Sequence, residues 1–226
     1  MRQFKLTFEI DSVITFEEDF TIEEIKFYSK NNTLYAEILV NEEDVMLAQQ
    51  KAWERIKSVC SPISYIYRRT LNYKIHQINE INNKSFNGCT MQSFEAKLIV
   101  RKKMTLDKIE KITRISNIMY ENEDVMKVLS LVNRDDFGTW FNLYKVYELI
   151  DQKKGIIYKK NWMSRKQLNL FTRTANHPVA GGFEARHLLD KTEPPENPME
   201  LKEATELFYD VIEQWINYLS DKQMTS

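Results

Sequence analysis

Near Arg101-Lys102-Lys103 the spacing of apolar residues changes from every second position to roughly every third or fourth, so one kind of secondary structure cannot serve both halves. Before that point Phe4, Leu6, Phe8 and Ile10 alternate with polar residues, and Leu34, Ala36, Ile38 and Val40 do the same. Phe16, Phe20, Ile22, Ile25 and Phe27 continue the pattern between them, and Lys30-Asn31-Asn32 supplies a turn. Alternation of this kind predicts antiparallel strands with one face in water. After that point Leu106, Ile109, Ile112 and Ile115 fall on one stripe of a helix that Thr105 caps and that runs to about Met119. The fold class is therefore α+β: an N-terminal antiparallel sheet with one packed helix, residues 1–103, followed by a C-terminal helical bundle, residues 104–226.

The helix on the sheet is predicted to open at Asn41, because Glu42, Glu43 and Asp44 suit the positive end of the helix dipole. Val45, Ala48, Ala52, Ile56 and Val59 then recur at helical spacing, widened by Trp53, and Pro62 stands just beyond the expected end. Ile63 to Ile78 reads as two strands broken near Arg68-Arg69, with Tyr65, Tyr67 and Tyr73 as strand formers that could also stack on bases, and with His76 in a structural role. An Asn-rich loop then leads to the alternation of Phe94, Ala96, Leu98 and Val100.

In the helical part, Asp124–Val132 forms a short helix, and Asp135 or Asp136 opens a longer one that Lys153-Lys154-Gly155 stops. Phe137, Trp140, Tyr144 and Tyr147 share a face of it with Glu148 and Asp151. A carboxylate such as Glu148 on an aromatic stripe must be paired or must reach water at the stripe's edge. Ser164 and Gln167 have the spacing of a capping box for a helix ending at Asn176, before His177-Pro178. Its apolar side holds Leu168, Phe171 and Ala175; its polar side holds Asn169, Arg173, Asn176 and His177. Asn197-Pro198-Met199-Glu200 combines an N-cap, a first-turn Pro and a Glu three residues on, and so predicts the start of the last helix.

Scarce residue types concentrate between those two helices. The chain has three His, five Gly and five Pro, and this one stretch holds His177, His187, Gly181, Gly182, Pro178, Pro194, Pro195 and Pro198. Arg173 and His177 stand one helical turn apart, where they can converge on one anion. Arg offers a fixed positive fork to phosphate oxygens, and His exchanges a proton near neutral pH. A purely structural account fits the same residues: Arg173 pairs with Glu148 inside the bundle, Asn176 and His177 cap the helix end, and Gly181-Gly182 lets the chain reverse.

The order of these parts, an acid on the Trp140–Glu148 stripe and then Arg173 and His177 on the next helix, resembles the HEPN superfamily of helical bundles. The wider stretch from Arg173-Thr174-Ala175-Asn176 to Ala185-Arg186-His187 is also similar to the C-terminus of a group of uncharacterised bacterial proteins. The HEPN resemblance implies a bacterial defence or stress context and a homodimer through the helical domain. It also implies metal-independent RNA cleavage, with Arg173 stabilising the pentacoordinate phosphate and His177 assisting proton transfer. Glu148, Asn169, Asn176, Arg186 and His187 would then be binding residues for RNA or another phosphate-bearing ligand.

Composition narrows the classes. Lys and Arg number 32 against 33 Asp and Glu, so no whole-chain electrostatic pull draws nucleic acid, although Lys153, Lys154, Lys159, Lys160, Arg165, Lys166 and Arg173, interleaved with Tyr158 and Trp162, form a local basic run. That run equally suits a solvated helix end. Cys60 and Cys89 lie in no metal-binding or disulfide pattern, and no nucleotide loop or nucleophile elbow is present, so neither metal nor cofactor is expected. The absence of a continuous apolar run at the N-terminus or elsewhere predicts a cytoplasmic chain with no membrane contact. The function expected is a non-catalytic binding or interaction module with a HEPN-like helical domain; the alternative is a metal-independent endoribonuclease using the Arg173/His177 pair.

Overall fold

A computed structural model describes residues 1–81, 85–87, 99–153, 155–187 and 193–224. It has the α+β fold, in two compact units, Met1–Tyr120 and Glu121–Ser226. Among the described residues no helix is long and apolar enough to cross a membrane.

The first unit is built on β1 (Arg2–Asp11), with β2 (Ile14–Phe16), β3 (Phe20–Ile22), β4 (Ile25–Lys30) and β5 (Thr33–Glu42) following in turn. After the helix α1 (Val45–Tyr67) come β6 (Asn72–Glu80), β7 (Ser85–Asn87) and β8 (Val100–Lys102). The main sheet has the order β3-β4-β5-β1-β6-β7, while β2 and β8 form a separate parallel pair. Phe4, Leu6, Phe8 and Ile10 sit opposite Val40, Ile38, Ala36 and Leu34 in register, and all eight are buried. A slip of one residue would turn one strand's whole apolar row into water, so the alternation excludes it. Asn31 and Asn32 both take positive φ in the β4–β5 turn, a conformation asparagine tolerates well. The predicted strand through Phe94, Ala96 and Leu98 lies outside the described residues, apart from its end at Val100.

Two boundaries of α1 differ from expectation. Asn41 is still in β5, and the N-cap is Asp44, whose carboxylate accepts the N–H groups of Met46 and Leu47 at 2.8 and 2.9 Å. At the other end the helix passes through Pro62 and stops only at Arg68, in the left-handed region with φ 51°. Tyr65 and Tyr67 are consequently helical rather than on a strand. A Pro inside a helix removes the donor that the carbonyl four residues earlier needs. Here that carbonyl belongs to Ser58, and it accepts the Ser116 hydroxyl at 2.9 Å from α2 (Leu106–Glu121). The Ser58 hydroxyl lies 2.8 Å from the Tyr120 hydroxyl as well. Ile112 of α2 joins the sheet core. These contacts place α2 in the first unit, so the division falls at residues 120/121 rather than at 103/104.

In the second unit, Asn122 caps α3 (Glu123–Val132). Next, α4 (Trp140–Ile150) starts at a Thr139 cap rather than at Asp135 or Asp136. The side-chain amide of Asn142 donates to the carbonyl of Asp136 at 2.8 Å, which holds residues 136–139 as a turn ahead of the helix. A short 3-10 turn at Asp151–Lys153 leads to α5 (Ile156–Lys159) and then α6 (Arg165–Asn176), α7 (Pro178–Gly181) and α8 (Leu201–Met224). Phe171 of α6 is the core's centre, with the Phe208 ring at 4.7 Å and Trp140, Tyr144 and Tyr147 within about 6 Å. The last helix begins later than Asn197-Pro198 predicts. The Met199 N–H donates to the buried Thr174 hydroxyl at 3.1 Å and the Met199 side chain is buried, and this segment is not helical until Leu201.

Candidate interaction site on the turn after α6

The predicted capping box forms: the Ser164 hydroxyl accepts the Gln167 N–H at 3.2 Å, and the Gln167 side chain accepts the Ser164 N–H at 3.0 Å. From that start, α6 buries Phe171, Thr174 and Ala175 and leaves Asn169 and Arg173 exposed. His177 ends the helix, and its ring is 4% exposed. The ring Nδ1 accepts the Val179 N–H at 3.1 Å, which caps α7 and, in the neutral imidazole, leaves the proton on Nε2. Arg173 is exposed and donates to the carbonyl of Glu193 at 3.3 Å. The two residues are one turn apart in the helix, yet one ring is enclosed and the other side chain is in solvent. Asn176 is half-buried, and among the described residues its Oδ1 has no hydrogen-bond partner.

Glu148 reaches water at the edge of the aromatic stripe and is paired, though with Arg186 rather than Arg173. Arg186 donates to it at 2.9 Å and lies 4.4 Å from the centre of the Tyr144 ring. The Arg186 N–H also donates to the carbonyl of Ala175 at 2.8 Å. His187 is exposed beside it.

Between His177 and Arg186 the backbone is tied at both ends, by Val179, Ala180 and Gly181 N–H groups donating to His177 and by the Arg186 N–H donating to Ala175. A Cβ on Gly181 would stand 3.0 Å from the carbonyl oxygen of Thr174 and 3.1 Å from the Ala185 Cβ, and Gly182 has φ +65° with ψ −151°, a combination nearly restricted to glycine. The glycine pair is therefore required for close packing and for reversal. What this held turn displays is apolar: Val179 is 77% exposed and Phe183 is 100% exposed. Glu184 is exposed next to Phe183. Neither Val179 nor Phe183 stood out in the sequence, since an isolated Phe beside a glycine pair has no periodic neighbours to show which way it faces.

The other sequence candidates are placed differently. Trp162 is buried, with its ring 5.8 Å from that of Tyr218, so only Tyr158 among the interleaved aromatics is exposed; Lys154 is outside the described residues. Tyr73 packs on Trp53 and Phe8, and Tyr67 packs on Phe16, which leaves no common stacking platform. Cys60 is enclosed, and burial pushes its thiol well above the usual range; Cys89 is outside the described residues. Among the described residues no group of three or more His, Cys, Asp or Glu is arranged to hold a metal ion. None of the protein-family models, curated proteins or solved structures compared with this chain matches it.

Proposed function

We propose that the chain is a non-catalytic interaction module whose 177–187 turn meets the same turn of a second copy. The observation that supports this reading is the full exposure of Phe183 on a short turn tied at both ends, at His177 and at Arg186. A ring left in water forgoes about 2–3 kcal/mol of burial free energy, which a second copy covering it would supply. Around the apolar centre lie exposed Glu184 and the Glu148–Arg186 pair, so both signs border the surface a two-fold interface would cover. The enclosure of His177, with Nδ1 engaged by a backbone N–H, is the reverse of what proton transfer to a bound substrate requires.

Sedimentation velocity over a range of concentrations tests the proposal. The native chain should dimerise as concentration rises, and Phe183→Asp should remain monomeric with unchanged thermal unfolding. A native chain that is monomeric throughout refutes it. The alternative implied by the HEPN resemblance, a metal-independent endoribonuclease, is addressed by incubating RNA with the native chain in EDTA. Products with cyclic-phosphate ends, lost on Arg173→Ala or His177→Ala at matched stability, would replace the interaction reading with an enzymatic one.

A further inference from the structure

The sheet of the first unit has a second face, away from its apolar core, and a β-bulge shapes it. Along β1 the residues facing the core are Phe4, Leu6, Phe8 and Ile10, so Lys5, Thr7 and Glu9 belong to the other face. On that face Glu9 lies opposite Tyr35 of β5, Thr7 lies opposite Glu37, and Tyr35 in turn lies opposite Tyr28 of β4. On the β6 side Thr7 pairs with Gln77 and Phe8 pairs with Ile75, which leaves His76 as the extra residue of the bulge. The bulge brings the His76 ring into the polar row: it is 5.5 Å from the Tyr35 ring, with Nδ1 3.5 Å from Glu9 Oε2. Tyr28 and Tyr35 are stacked at 5.4 Å and 18°. Three rings from three strands thus form one strip.

Two carboxylates border the strip, and Glu37 is the more loosely held. Glu37 Oε1 is 3.3 Å from Lys5 Nζ and 3.4 Å from the Tyr28 hydroxyl, both at the long end of hydrogen bonding. Glu9 takes Lys74 at 3.1 Å through Oε1. Lys26 lies 5.6 Å from the centre of the Tyr28 ring and pairs with Asp19. Each lysine faces a carboxylate, so the strip has no net pull on a polyanion. Its π-faces suit a flat ring, and its carboxylates suit N–H donors on that ring's edge. The His76 Nδ1 atom is itself buried, 3.5 Å from Glu9 Oε2, so His76 contributes its ring to the strip rather than an accessible acceptor.

We propose that the Tyr28–Tyr35–His76 strip is a binding site for one uncharged planar heteroaromatic ring of the guanine type, stacked on the tyrosines with its two adjacent N–H donors on the Glu37 carboxylate. Adjacent parallel donors meet the two oxygens of one carboxylate in a forked pair, a geometry adenine and uracil edges cannot supply. This site lies wholly within the first unit and is independent of the turn after α6.

The test uses the full chain, labelled with ¹⁵N, titrated with guanosine, adenosine and oligouridylate. Guanosine should shift amide signals around Tyr28, Tyr35, Glu37 and His76, with at least about tenfold preference over adenosine. Tyr35→Leu should weaken guanosine binding about tenfold or more, whereas Tyr35→Phe, which keeps the ring, should retain it. Glu37→Gln should remove the preference over adenosine while thermal unfolding stays native-like. Absence of shifts at millimolar guanosine, equal response to adenosine, unchanged binding in Glu37→Gln, or stronger binding of oligouridylate would each overturn the proposal.

Discussion

Replacing Ser116 by Ala removes the one hydroxyl that satisfies the Ser58 carbonyl left without a donor by Pro62. Both Ser58 and Ser116 are buried, and the Ser58 hydroxyl is already donating to the carbonyl of Arg55 at 2.8 Å, so it offers no substitute. Leaving a buried carbonyl unpaired costs about 1–3 kcal/mol. Ala is a better helix former than Ser by roughly 0.5 kcal/mol, which acts in the opposite direction and is too small to cancel the loss. With a urea dependence of about 1–3 kcal/mol per molar, the unfolding midpoint of the first unit should fall by roughly 0.5–1 M. The decisive measurement is a double-mutant cycle with Pro62→Ala. Restoring an N–H at position 62 gives the Ser58 carbonyl its ordinary helical donor, so the cost of Ser116→Ala should shrink by about 1–2 kcal/mol in that background. Urea unfolding followed by far-UV circular dichroism, with hydrogen exchange of α1 peptides as the local readout, measures all four chains. A cost for Ser116→Ala that is the same with Pro62 and with Ala at 62 would refute the reasoning, as would no cost at all.

Two further outcomes follow from the second unit. Thr174→Val keeps the side-chain volume but leaves the Met199 N–H without its 3.1 Å acceptor; it should destabilise this unit by about 1–3 kcal/mol and speed hydrogen exchange at Met199 first. The Asp136 carboxyl is held down at about 2 by hydrogen bonds from Arg134, at 2.7 and 2.9 Å. Its folded value is depressed, so its contribution to stability is present above the unfolded value near 4 and is lost as pH falls towards 2. Because the pair is exposed, that contribution should stay below about 1 kcal/mol. Carboxyl NMR should find Asp136 titrating at about 2, and Arg134→Ala should return it to the ordinary Asp range; a native Asp136 titrating near 4 would contradict the geometry.

What was legible in the sequence is what neighbouring residues decide among themselves. The alternation of Phe4 to Ile10 and of Leu34 to Val40 specified two strands and the buried face of each, because side chains on a strand point to opposite faces in turn. Ser164 and Gln167 announced the start of α6, and Asn122 stands directly ahead of a helix that acidic first-turn residues favour. Arg173 and His177 were visible as a pair for the same reason, since helical spacing is local. Their divergence was not visible, because it depends on a turn that returns through Gly181 and Gly182 to hydrogen-bond Ala175.

The misplaced boundaries share that cause. Pro62 reads as a helix stop until Ser116 supplies what it removes, and Asn197-Pro198 reads as a helix start until Thr174 takes the Met199 N–H outside the helix. His76 looked like an ordinary strand residue because a bulge is created by mismatch with β1, far away in the sequence. The sequence by itself determined the α+β class, the core rows of the sheet and most helix positions, since these follow from short-range periodicity and capping. The tertiary structure alone decided where α1 ends, to which unit α2 belongs, and which of the candidate side chains meet solvent. Those outcomes depend on contacts between residues distant along the chain, which no short-range pattern records.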